Sequence, residues 1–246
     1  MNNKFKFFSG LLACTLLSSV FTFSPKAAEV DAEPQKKDTE LVFVVDRSGS
    51  MRDSAEDTIG SFNSVIEEQK KPDKKGDVYV TTVMFNHKSK KIHDRKNIKD
   101  INNLTREEYH TSGSTALLDA VGSTITDLSK SEAVKNNKVM FVIITDGYEN
   151  SSKEFKKSQV KKLIDEKTNK ENWQFIFLGA NIDSARESQS LGIASQFSRD
   201  FETSHEGIRK AFSHVNTAIN QVRNGEKVDL EETKFEKDLE PKELKK

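Results

Sequence analysis

The sequence predicts an α/β fold, with one doubly wound, mostly parallel central sheet flanked by helices. Three observations predict it. The runs at 41–45 and 139–144 are apolar throughout, as suits parallel strands covered on both faces. Other segments repeat apolar residues every three or four positions, the period of a helix with one buried side. The two patterns alternate along the chain, which marks β–α–β crossovers rather than a helix bundle or a sandwich.

Taken in order, residues 41–45 form the first predicted strand. Ile59, Phe62, Val65 and Ile66 follow at helical spacing, and Pro72-Asp73 with Gly76 closes that helix. Residues 78–85 are rich in β-branched and aromatic side chains and predict a second strand. Residues 88–92 predict a short polar edge strand. An amphipathic helix runs through Ala116, Leu117, Ala120, Val121, Ile125 and Leu128, and the strand 139–144 comes next. Val160, Leu163 and Ile164 mark a helix, 173–178 a strand, Ala185 a short helix, and 193–197 a last strand. Ile208, Ala211, Phe212, Val215, Ala218, Ile219 and Val222 define a terminal helix.

Composition bounds the rest. The chain has 246 residues, 34% hydrophobic and 32% charged, enough for one soluble domain of about 39–223 with short appendages. Lys+Arg and Asp+Glu both number 39, so there is no positive excess to hold nucleic acid or a membrane surface. Residues 29–38 read as a charged linker, and 224–246 as a charged, solvated tail.

The first residues differ in kind. Lys4 and Lys6 precede an apolar run over 7–23, and small residues stand at Ala27 and Ala28. This pattern predicts a signal peptide over 1–28 and an exported, secreted or envelope-associated protein. Retention of the segment as an anchor is the one route to membrane association. Cys14 follows Leu11-Leu12-Ala13, a lipobox-like order, but the apolar run continues past it. Cys14 is thus read as one apolar residue of the signal, leaving no disulfide or thiol chemistry in the exported chain.

The chemistry sits just after the apolar runs, where open α/β sheets bind ligands. Asp46-Arg47-Ser48-Gly49-Ser50-Met51 follows the first strand, and Thr145-Asp146-Gly147 follows the strand 139–144. Ser112-Gly113-Ser114-Thr115 precedes the helix that begins near Ala116. Each loop alone has a plainer reading, as turn formers or helix caps. Together they supply two carboxylates and three hydroxyls, hard oxygen donors suited to Mg2+ or Mn2+ ahead of Ca2+.

Asp46-x-Ser48-x-Ser50, Thr115 and Asp146 in this order resemble the metal-ion-dependent adhesion site of von Willebrand factor type A domains. The resemblance spans about 39–223 and implies that family's Rossmann-like fold, with the first and fourth strands side by side. It implies metal ligation by Ser48, Ser50 and Thr115, with Asp46 and Asp146 close by, often through bound water. Neutral hydroxyl ligands leave the ion positive, so an open position attracts a carboxylate of Asp or Glu on a protein partner. The function expected is therefore binding or adhesion, not catalysis. Arg47, Met51, Arg52, Tyr148, Glu149 and Asn150 are the expected rim, with His110 as a further candidate. His87, His93, His205 and His214 have no ligand spacing and are expected on the surface or in loops.

Two alternatives use the same residues. A Mg2+-dependent phosphatase would need a second carboxylate two residues after Asp46, where Ser48 stands. An accessory role beside a larger ATPase complex conflicts with an export signal.

Overall fold

The computed structural model describes residues 37–71 and 76–230. The expected signal segment with Cys14, most of the linker, Pro72-Asp73, and the tail beyond 230 lie outside the described residues. Among the described residues, no helix is long and apolar enough to cross a membrane.

Six strands form one sheet in the order β3-β2-β1-β4-β5-β6. They are β1 (Thr39–Asp46), β2 (Val78–Phe85), β3 (Ser89–Asn97), β4 (Lys138–Thr145), β5 (Gln174–Ala180) and β6 (Ser198–Phe201). All neighbours run parallel except the β2–β3 hairpin. The helices are α1 (Ala55–Lys70), α2 (Leu117–Leu128), α3 (Glu132–Asn136), α4 (Lys157–Glu171), α5 (Ser184–Ser190) and α6 (His205–Asn224). The doubly wound, mostly parallel α/β architecture is therefore present.

β1 shows why the sheet is central. All eight of its residues are buried. Leu41, Phe43 and Val45 join the apolar cluster that includes α1 and α6, while Val42 and Val44 join the one under α2 and α4. Successive side chains of a strand point to opposite faces, so an uninterrupted apolar run is what a strand covered on both sides requires. On the first face, Phe43 and Phe62 of α1 meet edge to face, with centroids 5.2 Å apart.

α1 ends where the chain must leave helical space. Lys71, which precedes Pro72, has φ −56° and ψ 133°, the extended backbone that a following proline favours. At the other end of the chain, Gly225 closes α6 at φ 78°, a left-handed position open to glycine.

Four features differ from the sequence reading. β3 reaches Asn97 instead of stopping near 92, because antiparallel pairing with β2 needs no apolar pattern at a sheet edge. The last strand is Ser198–Phe201, whereas the apolar signal of 193–197 belongs to a loop and a 3-10 turn: Ile193 is buried, but by plugging the core beneath the α4 side. α3 is a five-residue helix with no periodic signal to announce it. The tail expected to begin at 224 is packed as far as Leu230, which is 1% exposed in the α1/α6 cluster. Gln221 holds that return, donating toward Asp229 O at 3.4 Å and accepting from Asp229 N at 3.0 Å.

Candidate metal centre

The strand order puts β1 and β4 side by side, with β1's crossover running to β2 and β4's to β5. The connections part at the carboxyl ends of β1 and β4, the place where such sheets leave a crevice. Asp46 closes β1 and Asp146 follows β4 directly, so the topology alone brings the two carboxylates together.

The loop after β1 turns at once. Asp46 Oδ1 accepts from Ser48 N at 2.7 Å, an Asx-type turn that folds Ser48 back over the carboxylate. Thr145 Oγ1 donates to Asp46 Oδ2 at 2.7 Å, so both oxygens of Asp46 are engaged. From below, the Tyr109 hydroxyl donates to the carbonyl of Asp46. Ser48 Oγ and Ser50 Oγ are 3.0 Å apart, and Ser50 Oγ donates to Asp146 Oδ1 at 2.6 Å.

The third loop is drawn in by backbone bonds. Gly49 N donates to Gly113 O at 2.9 Å, and Ser112 N to Arg47 O at 2.9 Å. Gly113 sits at φ 75°, a turn that aims the following residues inward. Thr115 N donates to Asn150 Oδ1 at 2.9 Å, and Asn150 N to Thr115 O at 3.0 Å, which clamps the Thr115 loop to the Asp146 loop. A Cβ on Gly147 would lie 3.6 Å from Thr115 Oγ1 and 4.0 Å from Ser50 Oγ. Asp46, Ser48, Ser50 and Asp146 are thus joined by hydrogen bonds, and Thr115 Oγ1 and Ser50 Oγ both border Gly147 in the same loop cluster. Ser50 is exposed while the other four are buried, so the cluster opens to solvent on the Ser50 side.

The electrostatics are those of a site short of positive charge. Burial pushes the Asp46 carboxyl up to about 6, against the pull of the Thr145 and Ser48 hydrogen bonds, and the neighbouring Asp146 adds to the rise. Burial also raises Asp146, opposed by the Ser50 hydrogen bond. Among the described residues, no Lys, Arg or His forms an ion pair with either aspartate. Buried carboxylates are costly unless a cation compensates them. No group of three or more His, Cys, Asp or Glu residues suited to a metal occurs among the described residues. The available set is oxygen only, with hydroxyls in the majority. Oxygen donors of this kind suit a hard divalent cation.

The expected rim divides. Arg52 and Tyr148 are exposed, and Tyr148 is 54% so. Met51 is buried in the core and cannot be rim. Glu149 faces inward: its oxygens accept from Ser151 N at 2.8 Å, Ser152 N at 2.7 Å and Leu118 N at 2.9 Å. Arg47 Nη1 donates to the carbonyl of His110 at 3.1 Å, so His110 contributes its backbone here. His93 is buried, with Nδ1 3.0 Å from Thr82 Oγ1, contrary to the surface position expected of it. His87, expected to be an ordinary loop residue, instead packs on Gly113 of the Thr115 loop. Thr145 and Asn150 flank motif residues in the sequence, but their roles depend on contacts that only the fold creates.

An α/β domain with oxygen donors gathered at the switch point between β1 and β4 is thus the class of protein defined by fold and site. The chain belongs to the von Willebrand factor type A domain family, which matches residues 40–206. Proximal thread matrix protein 1 from the mussel byssus, in a structure with a zinc-occupied MIDAS motif, is similar at 14% identity and a TM-score of 0.55. That match covers 77% of this chain and 46% of the mussel protein. The pilus adhesin SpaC from Lactobacillus rhamnosus GG, in an open conformation, is similar at 12% identity and a TM-score of 0.60. It is covered over 31% of its length by 78% of this chain. The chain spans less than half the length of either protein, and at these identities the likeness is one of fold. No curated protein sequence matches the chain.

Proposed function

We propose that the chain is an exported binding module that holds a divalent cation, Mg2+ or Mn2+, with Asp46, Ser48, Ser50, Thr115 and Asp146. Through that cation it binds an Asp or Glu carboxylate on another protein. One observation carries the reading. The Ser50 hydroxyl bridges Ser48 Oγ and Asp146 Oδ1 at the solvent side of a buried carboxylate pair, and Thr115 Oγ1 borders the same Gly147. A cation there would replace hydrogen bonds that the hydroxyls now spend on one another, and would offset the burial of two aspartates.

The chemistry follows from the donors. When bound, the ion supplies a Lewis-acidic position facing solvent. Ser48, Ser50 and Thr115 contribute no formal charge, so the cation's charge is left available to a partner's carboxylate. Thr145 and Ser48 N hold Asp46 in place, and Asn150 holds Thr115. The metal site of the mussel matrix protein and the adhesin role of SpaC support this reading by family, and export rests on the sequence of 1–28.

We take the chain to be a non-enzyme, because Ser48 occupies the position where a phosphatase of this layout needs its second carboxylate. Isothermal titration with Mg2+ and Mn2+ tests the metal, with T115A as the control that loses the heat. A pull-down from envelope and extracellular fractions, with Mg2+ and with EDTA in parallel, tests the partner. Phosphatase turnover that disappears in D46N would overturn the binding reading.

A further inference from the structure

The rim of the metal face is asymmetric, and its cationic side is built from the β2–β3 turn. Across the sheet, Asp46 pairs in register with Phe85, and Phe85 with Ser89. Adjacent strands lie about 4.8 Å apart, which puts the start of β3 roughly 10 Å from Asp46. Asn86, His87 and Lys88 therefore leave the sheet at the same edge as the candidate ligands.

The turn is fixed to the site. Asn86 Nδ2 donates to Ser112 O at 2.7 Å, and Asn86 O accepts from Ala116 N at 2.8 Å. These bonds bracket the loop that carries Thr115. The His87 ring lies so close to Gly113 that a Cβ there would be 2.3 Å from His87 Nδ1.

Its formal charge comes from Lys88 and Lys90 and is positive. His87, Lys88 and Lys90 are exposed, and no carboxylate occurs from Asn86 to His93. Among the described residues, no ion pair involves Arg47, His87, Lys88 or Lys90. Lys91, the next cation, is by contrast paired with Asp94 and Asp127. The far side of the site differs: Tyr148 stands exposed, its hydroxyl accepting from Asp183 N at 3.3 Å, and Asp183 itself is exposed. Lysines on an edge strand commonly serve to discourage sheet-to-sheet pairing. That explains Lys96, far along β3, but not Lys88 and Lys90, which lie at the end of the hairpin nearest Asp46, beside the Asn86 turn.

We infer that the partner segment is an acidic cluster, with one carboxylate at the metal and at least one more against Lys88 and Lys90. This rests on the carboxylate-binding reading above. Cations at a rim act on encounter rate and partner choice, through charge complementarity.

The test uses the full chain, Mg2+ in excess, and two synthetic probes, acetyl-Gly-Asp-Gly-amide and acetyl-Gly-Asp-Asp-Asp-Gly-amide. At low salt the triacid binds about tenfold more tightly than the monoacid. K88Q/K90Q removes that advantage and leaves monoacid and Mg2+ affinities unchanged. Equal binding of the two peptides, or an advantage that survives K88Q/K90Q, overturns the acidic-cluster proposal. EDTA separates the two readings: binding that persists in EDTA yet needs Lys88 and Lys90 refutes the metal-carboxylate function and keeps the cationic contact. Binding abolished by EDTA but indifferent to K88Q/K90Q does the reverse.

Discussion

The Thr145 hydroxyl donates to Asp46 Oδ2 at 2.7 Å, joining the last residue of β4 to the last residue of β1 beneath the candidate metal site. Asp46 is fully buried, so this bond stands where water would otherwise solvate the carboxylate. T145V keeps the side chain's shape and removes the donor. We expect it to cost about 1–3 kcal/mol, as for a buried acceptor left unpaired, and to weaken Mg2+ binding. Urea unfolding and metal titration of the same variant check both. Unchanged stability would show that Thr145 does not support Asp46.

The raised Asp46 carboxyl sets a pH dependence. Its folded value of about 6 lies above the ordinary carboxylate range, so the metal-free folded state holds a proton that the unfolded chain releases. This contribution to stability is complete at low pH, and it is lost as pH rises through about 6. A metal acts in the opposite sense, since it needs the carboxylate ionised: Mg2+ affinity should fall by up to about tenfold per unit below pH 6. Melting curves between pH 4 and 8, with and without Mg2+, should diverge most above pH 6. D46N should flatten the metal-free profile.

Glu149 turns inward to support the site, and Asn150, exposed at the rim, also clamps the Thr115 loop. Glu149 receives donors from Ser151, Ser152 and the start of α2, and Asn150 receives Thr115 N. Loss of such supporting bonds commonly costs about 10–100-fold in metal affinity. E149A and N150A should both show this loss in Mn2+ titrations. Amide exchange should also quicken over 146–155 in E149A. Full metal affinity in both variants would show that neither bond set supports the site.

The site is legible in the sequence because its motifs abut apolar runs. Asp46 directly follows 41–45, and Thr145-Asp146 follows 139–144, so a period-based reading of strands also finds the sheet edge where ligands bind. Tyr109 has no such marker. It lies in a poorly periodic stretch, yet its buried ring delivers a hydroxyl to the Asp46 carbonyl, a contact set by chain packing alone. His87 is hidden for the same reason, since only the β2–β3 hairpin brings it onto Gly113. The misplaced last strand has a different cause. Ile193 is apolar because a loop plugs the core with it, while β6 at the sheet edge is polar enough to give no signal.

Leu230 shows that charged composition does not by itself mark the end of packing. Its neighbours are acidic, but the side chain is buried against the α1/α6 cluster. L230A should destabilise the domain by about 2–4 kcal/mol, within the range for large-to-small core changes. Truncation after Gly225 should cost at least as much, because Val228 packs on the same cluster. Denaturant midpoints of both variants check this, and a truncated chain as stable as the full one would mean that 226–230 adds nothing to the core.

At the opposite end of β1, Glu40 is buried inside the sheet and held by Arg95, whose Nη2 and Nε donate at 2.7 and 3.1 Å. Asn137 Nδ2 adds a third donor at 2.7 Å. A buried ion pair need not stabilise relative to apolar replacements, but breaking one side strands a charge. R95M should therefore cost about 3–5 kcal/mol, most of it the isolation of Glu40. E40Q/R95M should recover a large part of that loss, since a neutral amide has far less to lose in the same place. A double-mutant cycle in urea measures the coupling directly. If R95M and E40Q/R95M unfold alike, Glu40 has found water or another donor, and the pair is not what holds the amino end of β1.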